Sequence, residues 1–252
     1  MSERPHLSLV IPAFNEARRL PATMRRIAEY GDGFGCSVEV LVVVERSTDD
    51  TLALARDAAR GVGCFEVIDN EVQRGKGYAV RSGVLRARGE HVLYMDADLS
   101  VPLDDVVTFV EHLRAHPEVD VVVGNRQHAR SEIVRRQSWV REHMGRTFNR
   151  ALRSLSLLEL RDTQCGFKAF RAGAARRIFS RQRLDGFAFD VEVLLLAQAL
   201  GHRVDDRPVR WVNSPESKVG MLRDSARMLA DAVRVRGLVA ETMRARPAGR
   251  DR

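Results

Sequence analysis

Residues 7–44 open with Leu7-Ser-Leu-Val-Ile-Pro-Ala-Phe-Asn-Glu16 and close with Val38-Glu-Val-Leu-Val-Val-Val44, and their reading decides the fold class. Leu7 to Pro12 and Val38 to Val44 are short, rich in β-branched residues and almost wholly apolar, the composition of strands buried on both faces. Glu16 to Tyr30, between them, has helical periodicity. The alternation continues outward. Cys64 to Ile68, His91 to Met95 and Val119 to Val123 read as further buried strands, and Asp49 to Arg60, Gly77 to Arg88 and Leu103 to Ala115 as helices, the last stopped by Pro117. The expected class is α/β: a central, mostly parallel, Rossmann-like sheet flanked by helices on both faces. Ligands of such sheets lie outside the carboxyl ends of the strands, so chemistry is expected there.

After Arg126 the pattern changes. A long helix is expected from Arg135 to about Leu158, then a turn-rich Asp162-Thr-Gln-Cys-Gly-Phe-Lys168. Helices at Ala172 to Ser180 and Asp190 to Leu200, a strand at Arg203 to Val212 and an amphipathic helix from Met221 to Arg236 follow. No repeat or low-complexity linker separates the halves, so one domain is expected over residues 5–236, elaborated by helices in 126–236, with 237–252 a basic, disordered tail.

The chain has 252 residues, 44% apolar and 30% charged, the balance of a globular protein with a real core. Its longest apolar runs fall short of the roughly 20 residues that span a bilayer, and Met1 to Pro5 lacks the apolar core of a secretory signal. Cys36, Cys64 and Cys165, odd in number and far apart, suit a reducing cytoplasm. The net charge of +7 is unevenly placed: Arg126 to Arg183 holds fourteen arginines and Lys168 against four acids, so this segment carries +11 and the rest −4. The arginines are not interleaved with a stacking aromatic platform, which argues against nucleic acid.

Asp96-Ala97-Asp98 follows the fourth strand. Residues two apart on a strand share a side, so Asp96 and Asp98 can converge on a hard cation, Mg2+ or Mn2+, whose shell is completed by phosphate oxygens and water. Glu45, after the second strand, would project into the same crevice, while Thr48 and Asp49 suit helix capping. Arg74-Gly-Lys-Gly77 lacks the P-loop spacing, yet a Gly-rich helix start bearing Lys76 can hold an anion. His112 and His116 share a helix face without a third ligand and are expected to be exposed, with no metal role.

Together, Leu7 to Glu16, Glu45 to Thr51, Arg74 to Gly89, Asp96 to Asp98, Gly124-Asn125-Arg126, Asp162 to Lys168 and Phe189-Asp190-Val191-Glu192 resemble the family 2 inverting glycosyltransferases of GT-A fold, over residues 5–236. Asp162 to Lys168, Arg74 to Gly77 and Ser217-Lys218 are most similar to the polyprenyl- or dolichyl-phosphate sugar synthases, the glucosyl branch in particular. The resemblance implies a nucleotide-sugar-binding half at 5–125 and an acceptor half at 126–236. It also implies that Pro12, Ala13, Asn15 and Glu16 lie beside the nucleotide, Glu45 near base and ribose, Asp96 and Asp98 on metal and diphosphate, and Arg126 on an acceptor phosphate. Arg135, Arg136 and Lys168, in the basic segment, are expected to bind the acceptor phosphate with it. Val44-Glu45-Arg46 departs from the usual Asp-Asp-Gly, which leaves UDP and GDP donors open. Ser100 stands where mannosyl relatives often carry Gln, which favours glucose.

A metal at Asp96 and Asp98 would stabilise charge on the departing diphosphate. An acceptor phosphate is already an anion and needs no base; a hydroxyl acceptor would need one, with Asp190 and Asp162, expected in turns reaching the crevice, as candidates. Glu192 reads as a cap-region acid. Val140, Met144, Phe148, Leu152 and Leu155 recur at helical spacing with arginines on other faces, so this helix either packs on the core or lies on an anionic membrane. The expected protein is a cytoplasmic hexosyltransferase, peripheral on the inner membrane face, taking glucose from UDP-glucose to a polyprenyl phosphate. Mannosyl transfer from GDP-mannose, a soluble hydroxyl acceptor, and a non-catalytic nucleotide-sugar or polyanion-binding protein are the alternatives.

Overall fold

A computed structural model describes residues 4–135, 160, 162–212 and 234–244. Its strands are β1 (Leu7–Ala13), β2 (Val38–Glu45), β3 (Phe65–Asn70), β4 (His91–Met95), β5 (Val121–Asn125), β6 (Glu132–Arg135), β7 (Phe167–Arg171), β8 (Val204–Pro208) and β9 (Arg210–Val212). Its helices are α1 (Leu20–Tyr30), α2 (Thr51–Ala59), α3 (Lys76–Arg86), α4 (Leu103–Ala115), α5 (Ala172–Phe179) and α6 (Phe189–Ala199), and residues 234–244 are helical too, so 237–244 of the expected disordered tail are ordered, with Val239 buried in the core. Seven strands form one sheet in the order β3-β2-β1-β4-β7-β5-β8, and β6 pairs with β9 in a separate ribbon. All neighbours in the large sheet are parallel except β7, which runs antiparallel to both β4 and β5.

Both faces of the sheet are covered, as its apolar strands require. Along β1, Leu7, Leu9, Ile11 and Ala13 pack with Leu20 and Met24 of α1 and Phe109 of α4. Val10 faces the other way, onto Val80 and Val84 of α3, Ile178 of α5 and Val193 of α6. Phe109 meets Phe167 edge to face at 4.8 Å, a contact worth about 0.5–1.5 kcal/mol beyond its buried area. The chain leaves β1 toward β2 and β3 on one side and returns to β4 on the other. Such a reversal of strand order opens a crevice at the carboxyl ends of β1 and β4.

Several expected elements are redrawn. The first helix begins at Leu20, because Asn15 to Arg19 form turns at the crevice. Phe167 and Lys168, expected in a turn, open β7. The strand expected over 203–212 divides at Val209, whose N–H goes to Ser131 Oγ (3.2 Å) and whose carbonyl accepts Glu132 N–H (3.3 Å), so the chain changes partner from β5 to β6. Arg135 ends β6 instead of opening a helix. Arg136, the rest of the expected helix up to Leu158, Ser217-Lys218 and most of Met221 to Arg236 lie outside the described residues.

His91 opens β4 with only 5% of its surface exposed. Burial, reinforced by Arg171 and Arg114, holds its imidazole below the usual histidine range. The folded chain therefore binds this proton less readily than the unfolded chain. Stability is intact above the unfolded value of about 6.5 and is lost as pH falls from there toward the lower folded value. His91→Leu is expected to flatten the fall in Tm between about pH 7 and pH 5, measured by thermal denaturation.

Candidate active site

At the switch point, side chains stitch the loops after β1 and β2 together. Asn15 Oδ1 accepts the Thr48 N–H (2.8 Å), Asn15 N–H donates to Ser47 Oγ (3.1 Å), and Glu16 N–H donates to Thr51 Oγ1 (2.7 Å). Asp49 accepts the Thr51 N–H at 3.1 Å, a capping contact at the start of α2. Asn15 holds φ 53°, and Leu99, just past the aspartate pair, φ 49°. These left-handed backbones flank the crevice on either side, the kind of strain that folds retain around functional loops.

Glu45 is buried, and its carboxylate accepts the N–H groups of Arg74 (3.1 Å) and Gly75 (2.9 Å). The anion expected at this helix start is thus, for those two donors, the chain's own Glu45. Gly75 sits at φ 125°, and a Cβ there would lie 2.7 Å from the Asp185 carbonyl oxygen, so glycine alone fits. What this segment offers the crevice is Lys76, whose Nζ lies 2.5 Å from Asp96 Oδ1. Burial works against its charge, but Asp96, Asp190 and Asp98 together hold the ammonium above the usual lysine range.

Asp96 and Asp98 lie just past β4, which stops at Met95, beside a cavity of about 430 Å³ also lined by Pro12, Ala13, Glu16, Glu45 and Lys76. Asp98 Oδ1 accepts the Ser100 N–H (2.9 Å), and Arg19 stands 4.0 Å from Oδ2. Burial, then the charge of Asp96, raises the Asp98 carboxyl above the usual range. A divalent cation beside the two carboxylates would offset that cost by favouring the charged form of Asp98. Among the described residues no third His, Cys, Asp or Glu joins them, so such an ion would complete its shell from ligand oxygens and water, as Mg2+ and Mn2+ do.

On the acceptor side, Asp162 is buried and takes three hydrogen bonds from Arg126: Nε at 2.7 Å, Nη2 at 2.9 Å and the backbone N–H at 3.0 Å. Burial opposes the charge of Asp162, but Arg126 outweighs it and holds the carboxyl below the usual range. The Arg126 guanidinium also lies 5.6 Å from the Trp211 ring centre. The turn that follows brings Gly166 against Asp96, where a Cβ would lie 2.8 Å from Cγ. Burial pushes the Cys165 thiol up to about 12, which makes it a packing residue and no nucleophile.

Lys168 and Asp190 depart from expectation. Lys168 is fully buried in β7, donating to Asp190 Oδ1 and to the Cys165 carbonyl (2.7 Å). Asp190 stands in the first turn of α6, not in a loop, and the Tyr94 hydroxyl donates to the same Oδ1 at 2.6 Å. Lys168 therefore lies beneath the crevice, away from a phosphate in it. Glu192 is also buried, accepting the N–H groups of Arg183 (2.8 Å) and Leu184 (2.7 Å). His112, expected exposed, is 9% exposed and pairs with Asp205 at 3.1 Å. Arg19 and Tyr94 belong to the site and escaped the sequence reading; Tyr94 stands inside an apolar strand, and its partner Asp190 is too distant in sequence for a local pattern to signal it.

Comparison with known proteins places this geometry. A dolichyl-phosphate beta-glucosyltransferase of Mus musculus is 34% identical over 229 residues, covering 86% of this chain and 71% of that one. The Dictyostelium discoideum enzyme of the same name is 31% identical over 244 residues, covering 92% and 74%. Glucosyl-3-phosphoglycerate synthase from Mycobacterium tuberculosis, solved with Mn2+, UDP-glucose and phosphoglyceric acid, superposes with a TM-score of 0.64 over 94% of this chain and 80% of that one, at 20% identity, which shows the GT-A fold. Residues 8–179 match the model of glycosyl transferase family 2, and with the relatives this establishes that the chain belongs to that family.

Proposed function

We propose that the protein transfers glucose from UDP-glucose, with inversion, to the phosphate of a polyprenyl or dolichyl phosphate. One observation carries the choice of acceptor. Among the described residues, the carboxylates expected to serve as general base are already engaged: Asp162 by Arg126, Asp190 by Lys168 and Tyr94. Glu45 and Glu192 accept backbone N–H groups as well. A hydroxyl acceptor requires a group that takes its proton. A phosphate monoester, with a second pKa of about 6, needs none near neutral pH. The names of the two relatives agree with this acceptor and sugar.

In the proposed reaction a phosphate oxygen attacks the anomeric carbon from the face opposite UDP. The new C–O bond forms as the bond to the diphosphate breaks, and the electron pair leaves on UDP. Pro12, Ala13, Asn15, Glu16 and Glu45 border the donor. Asp96 and Asp98 would hold the divalent cation, Mg2+ or Mn2+, which supplies positive charge to the diphosphate. Lys76, beside Asp96, adds a second positive charge to the leaving group. Arg126, with Arg135 and Arg136, would draw the acceptor phosphate toward the anomeric centre.

No helix among the described residues is long and apolar enough to cross a membrane. The +11 segment from Arg126 to Arg183 would instead bring the enzyme to an anionic, cytoplasm-facing bilayer. The test pairs UDP-glucose or GDP-mannose with a polyprenyl phosphate or the corresponding polyprenol, each in anionic liposomes. Product is expected from UDP-glucose and the phosphate, with transfer to polyprenol at least about 100-fold slower for lack of a base. Comparable transfer to polyprenol would sink the acceptor assignment, and a preference for GDP-mannose the sugar.

A further inference from the structure

The buried pair Lys168 and Asp190 has no part in that reaction. Lys168 is 0% exposed and Asp190 2%, and burying two charges is expensive enough that apolar replacements of similar size often leave a fold as stable or more so. The contacts of the pair converge on one atom group. Lys168 stands directly opposite Tyr94 in the β4–β7 register, and both donate to Asp190 Oδ1. Tyr94 is the penultimate residue of β4, and Asp96 is the first residue after that strand ends at Met95. Lys168 also holds the Cys165 carbonyl at 2.7 Å, and the next residue, Gly166, rests on the Asp96 carboxylate with no room for a Cβ. The strand end that carries Asp96 is thus anchored through Tyr94, and the Asp96 carboxylate itself is bounded by the Cys165–Gly166 turn.

We infer that Lys168 and Asp190 are positioning residues which, through Tyr94 and Gly166, set the orientation of the Asp96 carboxylate and hence the affinity for the cation and nucleotide diphosphate. The inference rests on the glycosyl-transfer reading of the crevice and assigns Asp190 a role other than base. A ligand carboxylate depends on what orients it, and loss of such support typically lowers metal affinity about 10–100-fold.

Two variants test it by Mn2+ titration in the presence of UDP, read by calorimetry, with donor and acceptor KM measured separately. Lys168→Met/Asp190→Leu removes the pair without stranding a charge. It is expected to keep its Tm within a few degrees, to lose about 10–100-fold in Mn2+ affinity, and to raise the donor KM with the acceptor KM unchanged. Gly166→Ala leaves the pair intact and pushes on a side-chain carboxylate, so it should fold normally and show the same loss, which keeps the test decisive if the double variant does not fold. Parent-like Mn2+ affinity in a folded variant would overturn the inference. So would an Asp190→Asn variant with parent-like Mn2+ affinity but a kcat profile that has lost its acid limb, the mark of a base. Failure of the parent chain itself to bind Mn2+ and UDP would overturn the site reading and this inference together; equal binding by parent and variants overturns the inference alone.

Discussion

Asp98→Asn is expected to lower glucosyl transfer by about 10²–10³-fold or more while leaving the protein as stable as the parent, or more stable. The two halves of this expectation share one cause. Asparagine keeps the shape and the Oδ1 acceptor of the Ser100 N–H, so the turn through Leu99, with its left-handed backbone, is undisturbed. What disappears is a charge that burial and Asp96 both disfavour. A carboxyl whose folded pKa is raised loses stability as pH rises through that value, so at neutral pH the ionised Asp98 is a burden on the fold. That burden is useful only where a cation and a departing diphosphate meet it. Transfer assays with UDP-glucose, together with thermal denaturation of the same preparations, check both halves. Parent-like turnover would contradict the role of Asp98, and a large drop in Tm would show that the carboxylate serves the fold.

The residues that carry this argument differ in how readable they were. The β1–α1–β2 alternation and the position of Asp96-Ala97-Asp98 beside a strand end follow from local composition, and the fold retains both; the period of two does not carry over, because β4 stops at Met95 and Ala97-Asp98 form a turn. Strand β7 was not readable in the same way. A lysine inside Phe167-Lys168-Ala169-Phe170 signals a solvent face, and only Asp190, distant in sequence, makes its burial tolerable. The same limit governed the base candidates. Carboxylates near a crevice look available until their partners are known, and Arg126 reaches Asp162 across 36 residues, a separation no local pattern reports. Glu45 shows the converse. Its departure from the family's usual acid pair raised a question of donor choice, and the fold shows that its carboxylate also shapes the turn that delivers Lys76.

Arg126→Met is expected to destabilise the protein by about 3–5 kcal/mol, more than Asp162→Asn does, because the two partners are unequally buried. The Asp162 side chain is 1% exposed and that of Arg126 27%. Removing the arginine strands a carboxylate with no water to receive it, whereas removing the acid leaves a guanidinium that can turn toward the crevice mouth. The pH dependence should weaken as well. In the parent chain Arg126 holds the Asp162 carboxyl below its usual range, so this pair contributes stability above about pH 4 that is lost as pH falls through the folded value. In Arg126→Met, burial acts on Asp162 against only the residue-126 backbone N–H and the charge of Lys168, so its folded pKa should rise and the stability gained above about pH 4 should shrink. Urea denaturation across about pH 4 to pH 8 measures both slopes. The double variant Arg126→Met/Asp162→Leu, with no charge left to strand, should recover most of the stability. If Arg126 also meets the acceptor phosphate, that recovered fold will still transfer glucose poorly, with the loss in acceptor KM and not in donor KM. Full recovery of transfer along with stability would show that the arginine serves Asp162 alone.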